Sequence, residues 1–356
     1  MRGRLFVFGR SAALLAVLAA WVMPAAANPS VTADFNSMTQ WLSHELAQEI
    51  AFNAGSTFDP PHEVVSRNIQ PDLSLGLGHM PFDKSTFPAL QTQKLNDMPV
   101  ANVFPSSVLF PNLVTHLRAG LPGRMDLSVR FADMTTPNNY KLSNTATGKG
   151  QSNSIGFSLR KHFFGEDGRP LLSLGANYNH VYGNFDLRSN FDLSDQGAGF
   201  TAQSPIDAKL VWNVSSFGLN AIVSRPWRGW TPFAGVGYNY ATGSIRTRLE
   251  AQPNTTLVSP IIGESSDHPE QNQARIILGF EVDRPWMHFF ANGEVKAMGE
   301  HALGSWIIAA GAALPFEIGR HGISMVHRPP ADPASQSPQR APSPRPEAGR
   351  EIIFIQ

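Results

Sequence analysis

The chain has 356 residues, of which 42% are hydrophobic and only 16% charged, with Lys+Arg and Asp+Glu equal at 28 each. Soluble domains carry about 25% charge, and a balanced chain projects no field toward nucleic acid or an acidic partner. The absence of cysteine excludes disulfides, thiolate metal sites, a cysteine nucleophile and the acceptor a lipoprotein needs.

Residues 1–27 read as a secretory signal peptide. Arg2 and Arg4 give the positive start, Ser11 to Met23 an apolar run, and Ala25-Ala26-Ala27 a small-residue cleavage site. As an uncleaved anchor the run is shorter than the roughly 20 residues a span needs, and Pro24 follows it. Residues 28–71 form an N-terminal segment with one helix over Asp34–Ala54. There Met38, Trp41, Leu42, Leu46 and Ile50 fall at helical spacing, with Asp34 as N-cap. The segment is long enough to enter a barrel as a plug, and the alternative is a cap on its periplasmic rim.

From Asp72 the period changes from 3.6 to 2. Ten segments alternate: Asp72–His79, Leu113–Leu121, Arg124–Met134, Ser152–Phe164, Leu171–Gly183, Lys209–Arg225, Thr231–Thr247, Asn272–Val282, Met287–Met298 and Gly304–Phe316. In the third, Met125, Leu127, Val129 and Phe131 oppose Asp126, Ser128, Arg130 and Ala132. An apolar face against a polar one over about ten residues is the pattern of a barrel with a lipid-facing exterior and a polar lumen. Trp212 and Phe217 differ in parity, which predicts a bulge near Ser215-Ser216.

The connections alternate in length. Pro122-Gly123, Gly165–Pro170, Pro226–Trp230 and Arg284-Pro285-Trp286 are tight turns, whereas 80–111, 135–151, 184–208 and 248–271 are long and polar. Short periplasmic turns and long outer loops are expected of such barrels, and ten strands place both termini in the periplasm. Phe163, Phe164, Trp227, Trp230 and Trp286 sit beside the short turns as a lower aromatic girdle at the membrane interface. Tyr182, Trp212, Tyr238, Tyr240 and Trp306 are the candidates for the upper one. The competing architecture, a secreted soluble β-sandwich binding protein, fits these strand lengths and loops less well.

Together these features resemble the bacterial outer-membrane β-barrel proteins as a broad class, over residues 28 to about 320, on architecture alone and with no family-specific motif. The resemblance implies an all-β, closed antiparallel transmembrane barrel over 72–320, exported to the outer membrane. Its partners would be outer-membrane lipid and the barrel-insertion machinery. Barrels of this class often close on a strand ending in an aromatic. Here that match is internal, Trp306 to Phe316, so eight or twelve strands stand as alternatives to ten. The tail from 321 to 356 is Pro-rich, and its apolar end, Ile352 to Ile355, offers a strand to a periplasmic partner.

A barrel of this size is nearly filled by its own side chains. The inward positions are His116, Arg118, Asp126, Arg130, Arg160, Arg275, Glu281, Asn292, Glu294 and Lys296, expected to pair with one another or to line a narrow path. Rim residues of hydrolytic type are His79, Asp83, Asp133, His180, Asp186, Glu300 and His301. Their parities do not converge on one cluster, so an omptin-like protease or a lipid hydrolase is the alternative and no enzyme is expected. No metal-ligand spacing is present and no cofactor is implied. The expected function is a narrow channel for small solutes, apolar ones among them, or a structural role in the envelope.

Overall fold

A computed structural model describes residues 29–325 apart from 57–58, 97–103, 105, 138–139, 142–146, 193–202, 253–259 and 320–321. The segment expected as a signal peptide lies outside the described residues, as does the expected tail apart from residues 322–325. Ten antiparallel strands form the wall: β1 (Asn68–Pro81), β2 (Ser107–Leu121), β3 (Met125–Thr135), β5 (Thr147–Phe164) and β6 (Leu171–Asp192). They continue with β7 (Gln203–Ser224), β8 (Thr231–Ala251), β10 (Asn272–Arg284), β11 (Met287–Lys296) and β12 (Trp306–Ala313). Each pairs with its neighbour in the wall, and β12 closes the barrel on β1, from Asp72 opposite Ala313 to His79 opposite Trp306. The closing strand is therefore the internal one. Two short strands extend the wall, β4 (Tyr140–Lys141) on β5 and β9 (Ile261–Asp267) on β8.

Strand parity decides what faces lipid. Leu73 and Leu75 on β1, Phe131 on β3, Phe217 and Leu219 on β7, Val236 on β8 and Leu278 on β10 are exposed apolar side chains on the outer surface. Their neighbours one residue along point inward and are polar or small. A closed barrel leaves no unpaired edge, which is what a strand structure needs in hydrocarbon, and an apolar outer belt is the surface of an outer-membrane barrel. Phe163, Phe164, Trp227, Trp230 and Trp286 are exposed beside the short turns. Those turns need left-handed backbone, supplied at Gly123, Gly165 and Gly229.

Several sequence expectations are corrected. The register through β6, β7 and β8 is continuous, with no bulge at Ser215-Ser216. Trp212 faces inward, buried against Phe110, and so is not an interface aromatic. The polar segments taken as loops at 184–208 and 248–271 are partly strand. β6 and β7 are 22 residues long and β8 is 21, about twice what a membrane crossing takes, so their outer halves stand above it. At the other end the chain continues past β12 into a hairpin, β13 (Phe316–Gly319) with β14 (Gly322–Met325), and β13 extends the pairing on β1.

The helix, α1 (Pro29–Gly55), begins five residues before Asp34. Asp34 thus caps nothing of its own. Its carboxylate accepts the backbone N–H groups of Gln91 and Thr92 at 2.7 and 2.8 Å, holding the β1–β2 loop at a helical turn (Gln93–Asn96). Helix α1 packs on β9, β8 and β7 from inside the barrel. Its first turns meet the outer ends of those strands, with Phe35 against Gly263, and its last turn reaches Arg275 and Asn239. Residues 59–67 then run without helix or strand to β1, at the end of the barrel that carries the short turns. Pro29 is therefore at the outer end of the molecule and Met325 at the inner end. The two ends of the ten-stranded wall, at Asn68 and Ala313, lie on the same rim, as an even strand count predicts, and the chain's own termini fall outside the described residues.

Candidate functional site

The lumen divides by height. In the lower half the wall supplies donors to the descending segment. Arg130 bonds the carbonyl of Ser56, Arg160 that of Pro60 at 2.6 Å, Ser173 that of Pro61 at 3.1 Å, and Arg118 that of His62 at 2.7 Å. Irregular backbone at membrane depth is tolerated only where its polar groups are satisfied by protein, and these side chains do that. Asp126 is the hub beneath them. It takes Arg118 at 3.2 Å, Arg160 at 3.1 Å and His162 at 2.7 Å. Arg275 pairs with Glu294, which also accepts Ser56 Oγ at 2.8 Å. His62 lies between Glu281 at 3.0 Å and Gln70 at 2.7 Å, and higher up, at the outer ends of β10 and β11, Lys296 reaches Glu270 at 2.7 Å.

All ten inward candidates, His116, Arg118, Asp126, Arg130, Arg160, Arg275, Glu281, Asn292, Glu294 and Lys296, are buried in this interior. Asp59, Asp72 and His116 bring ligand atoms within 4.8 Å of one another. Both ring nitrogens of His116 are already engaged, with Asp72 at 2.6 Å and Asp59 at 3.3 Å, and Arg118 and Arg160 act on Asp59 as well. The trio is a charge-paired cluster in which a cation would meet arginine.

The upper half is different. Around the first turns of α1 the inward residues of β7 are Ile206, Ala208, Leu210, Trp212 and Val214, all buried, joined by Ala241, Ile245 and Leu249 on β8. They pack on Phe35, Met38, Leu42, Leu46 and Ile50 of the helix. The polar side chains of α1 bond back to its own carbonyls, Thr39 to Phe35 and Ser43 to Thr39, or turn to the opposite wall.

At the mouth a cavity of about 520 Å³ opens between α1 and three loops, lined by His44, Glu45, Asp83, Asp267, Glu300 and His301 among others. His44 Nδ1 faces Asp267 at 2.9 Å and Nε2 faces Glu300 at 3.0 Å. A neutral imidazole donates from one nitrogen only, so two carboxylate partners favour the cation. Burial opposes that charge, yet the bonds and charges of Asp267 and Glu300 raise the His44 pKa above its ordinary value. His301 bonds Glu45 at 2.9 Å, and this bond raises its pKa too. Glu45 also accepts the Asp83 backbone N–H at 2.8 Å, and Trp41 Nε1 donates to the Asp83 carbonyl and to Thr86. Asp83 itself is held low by hydrogen bonds from Ser85.

Of the seven rim residues read from the sequence, only Asp83, Glu300 and His301 gather here. His79 stacks on Trp306, His180 bonds Ser215 and stacks beside the exposed Tyr182, and Asp133 and Asp186 lie on the outer face. Sequence reasoning missed His44, Glu45 and Asp267. Glu45 and Glu49 are one turn apart on the helix, a polar stripe that signalled a partner inside a wall.

No family model matches this sequence, and no curated protein does. Solved structures with similar architecture include the outer membrane protease OmpT from Escherichia coli, at 14% identity over 70% of this chain and 97% of that one, with a TM-score of 0.41. The transport unit of the autotransporter AIDA-I from Escherichia coli matches at 11% identity over 77% and 97%, with a TM-score of 0.37. The translocator domain of the autotransporter NalP from Neisseria meningitidis matches at 9% over 74% and 92%, with a TM-score of 0.31. These likenesses are of barrel shape.

Proposed function

We propose that the protein is a narrow outer-membrane channel for small solutes in which residues 29–67 are the stopper. The observation that carries this reading is the course of that segment, which fills the lumen from the outer mouth to the periplasmic rim without belonging to the wall. It is tied to wall residues below and to loop residues at the mouth, and two of the lower ties, Arg118 and Arg160, also bridge wall strands through Asp126. At the mouth the ties are histidine–carboxylate contacts to loops, the elements of a barrel freest to move. The chemistry at the mouth favours a latch over a catalyst, since each histidine nitrogen that faces a carboxylate is spent on holding α1.

Single-channel conductance in planar bilayers tests the reading. The full chain should be closed at rest, and removal of residues 29–67 should give a steady small conductance from a barrel that still shows heat-modifiable gel mobility. A deleted barrel that folds and conducts no more than the full chain sinks it, because the wall alone would then fill the lumen.

A further inference from the structure

The apolar upper lumen is not fully packed. Beside α1 a cavity of about 70 Å³ is lined by carbon throughout, from Leu42, Leu46, Phe82, Phe185, Leu210 and Trp212 among others. Protein interiors leave few voids larger than one water, and one water needs roughly 10–15 Å³ by this measure and two to four polar partners. This cavity has the room and lacks the partners, so water gains little there. Ala208 is among its lining residues, so a larger aliphatic side chain at that position would take up part of the space. Val108, Phe110, Phe185 and Leu187, which also line it, are only partly buried on the inner face of the outer wall.

The cavity does not end in carbon. A second one, of about 40 Å³, shares Ile50, Met80, Phe110 and Trp212 with it and continues to Arg130, Asn112 and Ser152. A concave apolar wall with a few convergent polar groups is the make-up of a small-molecule site. Arg130 has acidic neighbours in Asp59 and Glu294, so the polar end already holds matched charge and suits a neutral group better than an anion.

We propose that this pair of cavities binds a small uncharged molecule with an apolar body and one hydrogen-bonding end, of which a phenol is the simplest example. The inference rests on the channel reading only in taking that molecule as the solute. The body sits against Leu42, Leu46 and Leu210, and the hydroxyl or carbonyl turns down toward Arg130 and Ser152. Passage further down requires α1 to shift, since the segment after Gly55 blocks the path.

The full chain folded in lipid nanodiscs is titrated with 4-fluorophenol, 4-fluorotoluene and 4-fluorobenzoate, and binding is read by fluorine NMR against empty nanodiscs. Saturable binding is expected for the phenol, weaker binding for the toluene, and the weakest for the benzoate. Ala208→Leu takes up part of the upper cavity and should weaken phenol binding about tenfold or more, the cost of about 1.4 kcal/mol. Leu210→Phe serves where that variant lacks heat-modifiable mobility. Non-saturable signal equal to that of empty nanodiscs, or equal binding by folded filled variants, overturns the site. A benzoate preference overturns the neutral end. Saturable binding by the full chain, together with a barrel lacking residues 29–67 that folds yet conducts no more than the full chain, leaves the site standing and sinks the channel reading.

Discussion

The two halves of the lumen hold the same segment by opposite means. Below, extended backbone is caught by buried arginines that answer to a few carboxylates, Asp126 above all. Above, a helix that satisfies its own backbone is held by carbon contacts and by histidines at the mouth. The difference follows from what each stretch of chain lacks. The carbonyls of Ser56, Pro60, Pro61 and His62 take side-chain donors in place of a helix or strand partner, whereas α1 needs only volume around it. Buried charge networks fail abruptly when one member is removed, while apolar contacts yield in steps. The lower half is therefore the fixed end of the segment and the upper half the end that can move.

That contrast is broken most directly at its hub. Asp126→Ala leaves Arg118, Arg160 and His162 without their common partner, and stability should fall by about 3–5 kcal/mol. A urea midpoint for loss of the heat-modifiable form would measure it, and an unchanged midpoint would mean the arginines find other partners. In the upper half Leu46→Ala should cost about 2 kcal/mol, the low end for a buried leucine, because it lies against existing free space. Trp41→Phe keeps the packing and loses two hydrogen bonds to the β1–β2 loop, for about 1 kcal/mol.

A smaller effect depends on pH. The folded pKa values of His44 and His301 lie above the ordinary 6.5, so folding favours their protonated forms. Their contribution is complete below that value and is lost as pH rises through the raised ones. His44 is nearly half exposed, which screens its share. Amide exchange in α1 around His44 should therefore quicken as pH rises above 6.5, after correction for intrinsic rates, while the amide of His62, bonded to Glu281, stays protected. His301→Gln should remove part of that dependence, and equal pH profiles in wild type and variant would refute the latch. Arg188→Ala and Arg248→Ala, in exposed pairs on the outer wall, should change none of these readouts.

How much of this was legible in the sequence follows from where each face points. Where one face met lipid and the other a polar lumen, parity alone placed β3 and β5 to within a few residues. It failed on β7, because Leu210, Trp212 and Val214 face a helix and not a polar interior, so both faces of that stretch are apolar. It failed differently above the membrane, where neither face of β6 or β8 meets lipid and polar strands look like loops. Inward residues such as Arg118 and Asp126 were readable from alternation, yet their partners were not. Asp59 and His62 lie on a segment with no period, and the pairing of His44 with Asp267 joins residues 223 apart.

The seam between β1 and β12 sets an order of events during assembly. Residues 29–67 precede β1 in the chain and lie inside a wall that exists only once Asp72 has met Ala313. After that meeting, a helix with Trp41 and Phe35 on its flanks would have to enter a lumen already crowded by Arg118, Arg160 and their partners. The segment must lie across the unfinished sheet before its last strand arrives. The described chain therefore runs between the two ends of the barrel eleven times, ten times as wall and once inside it.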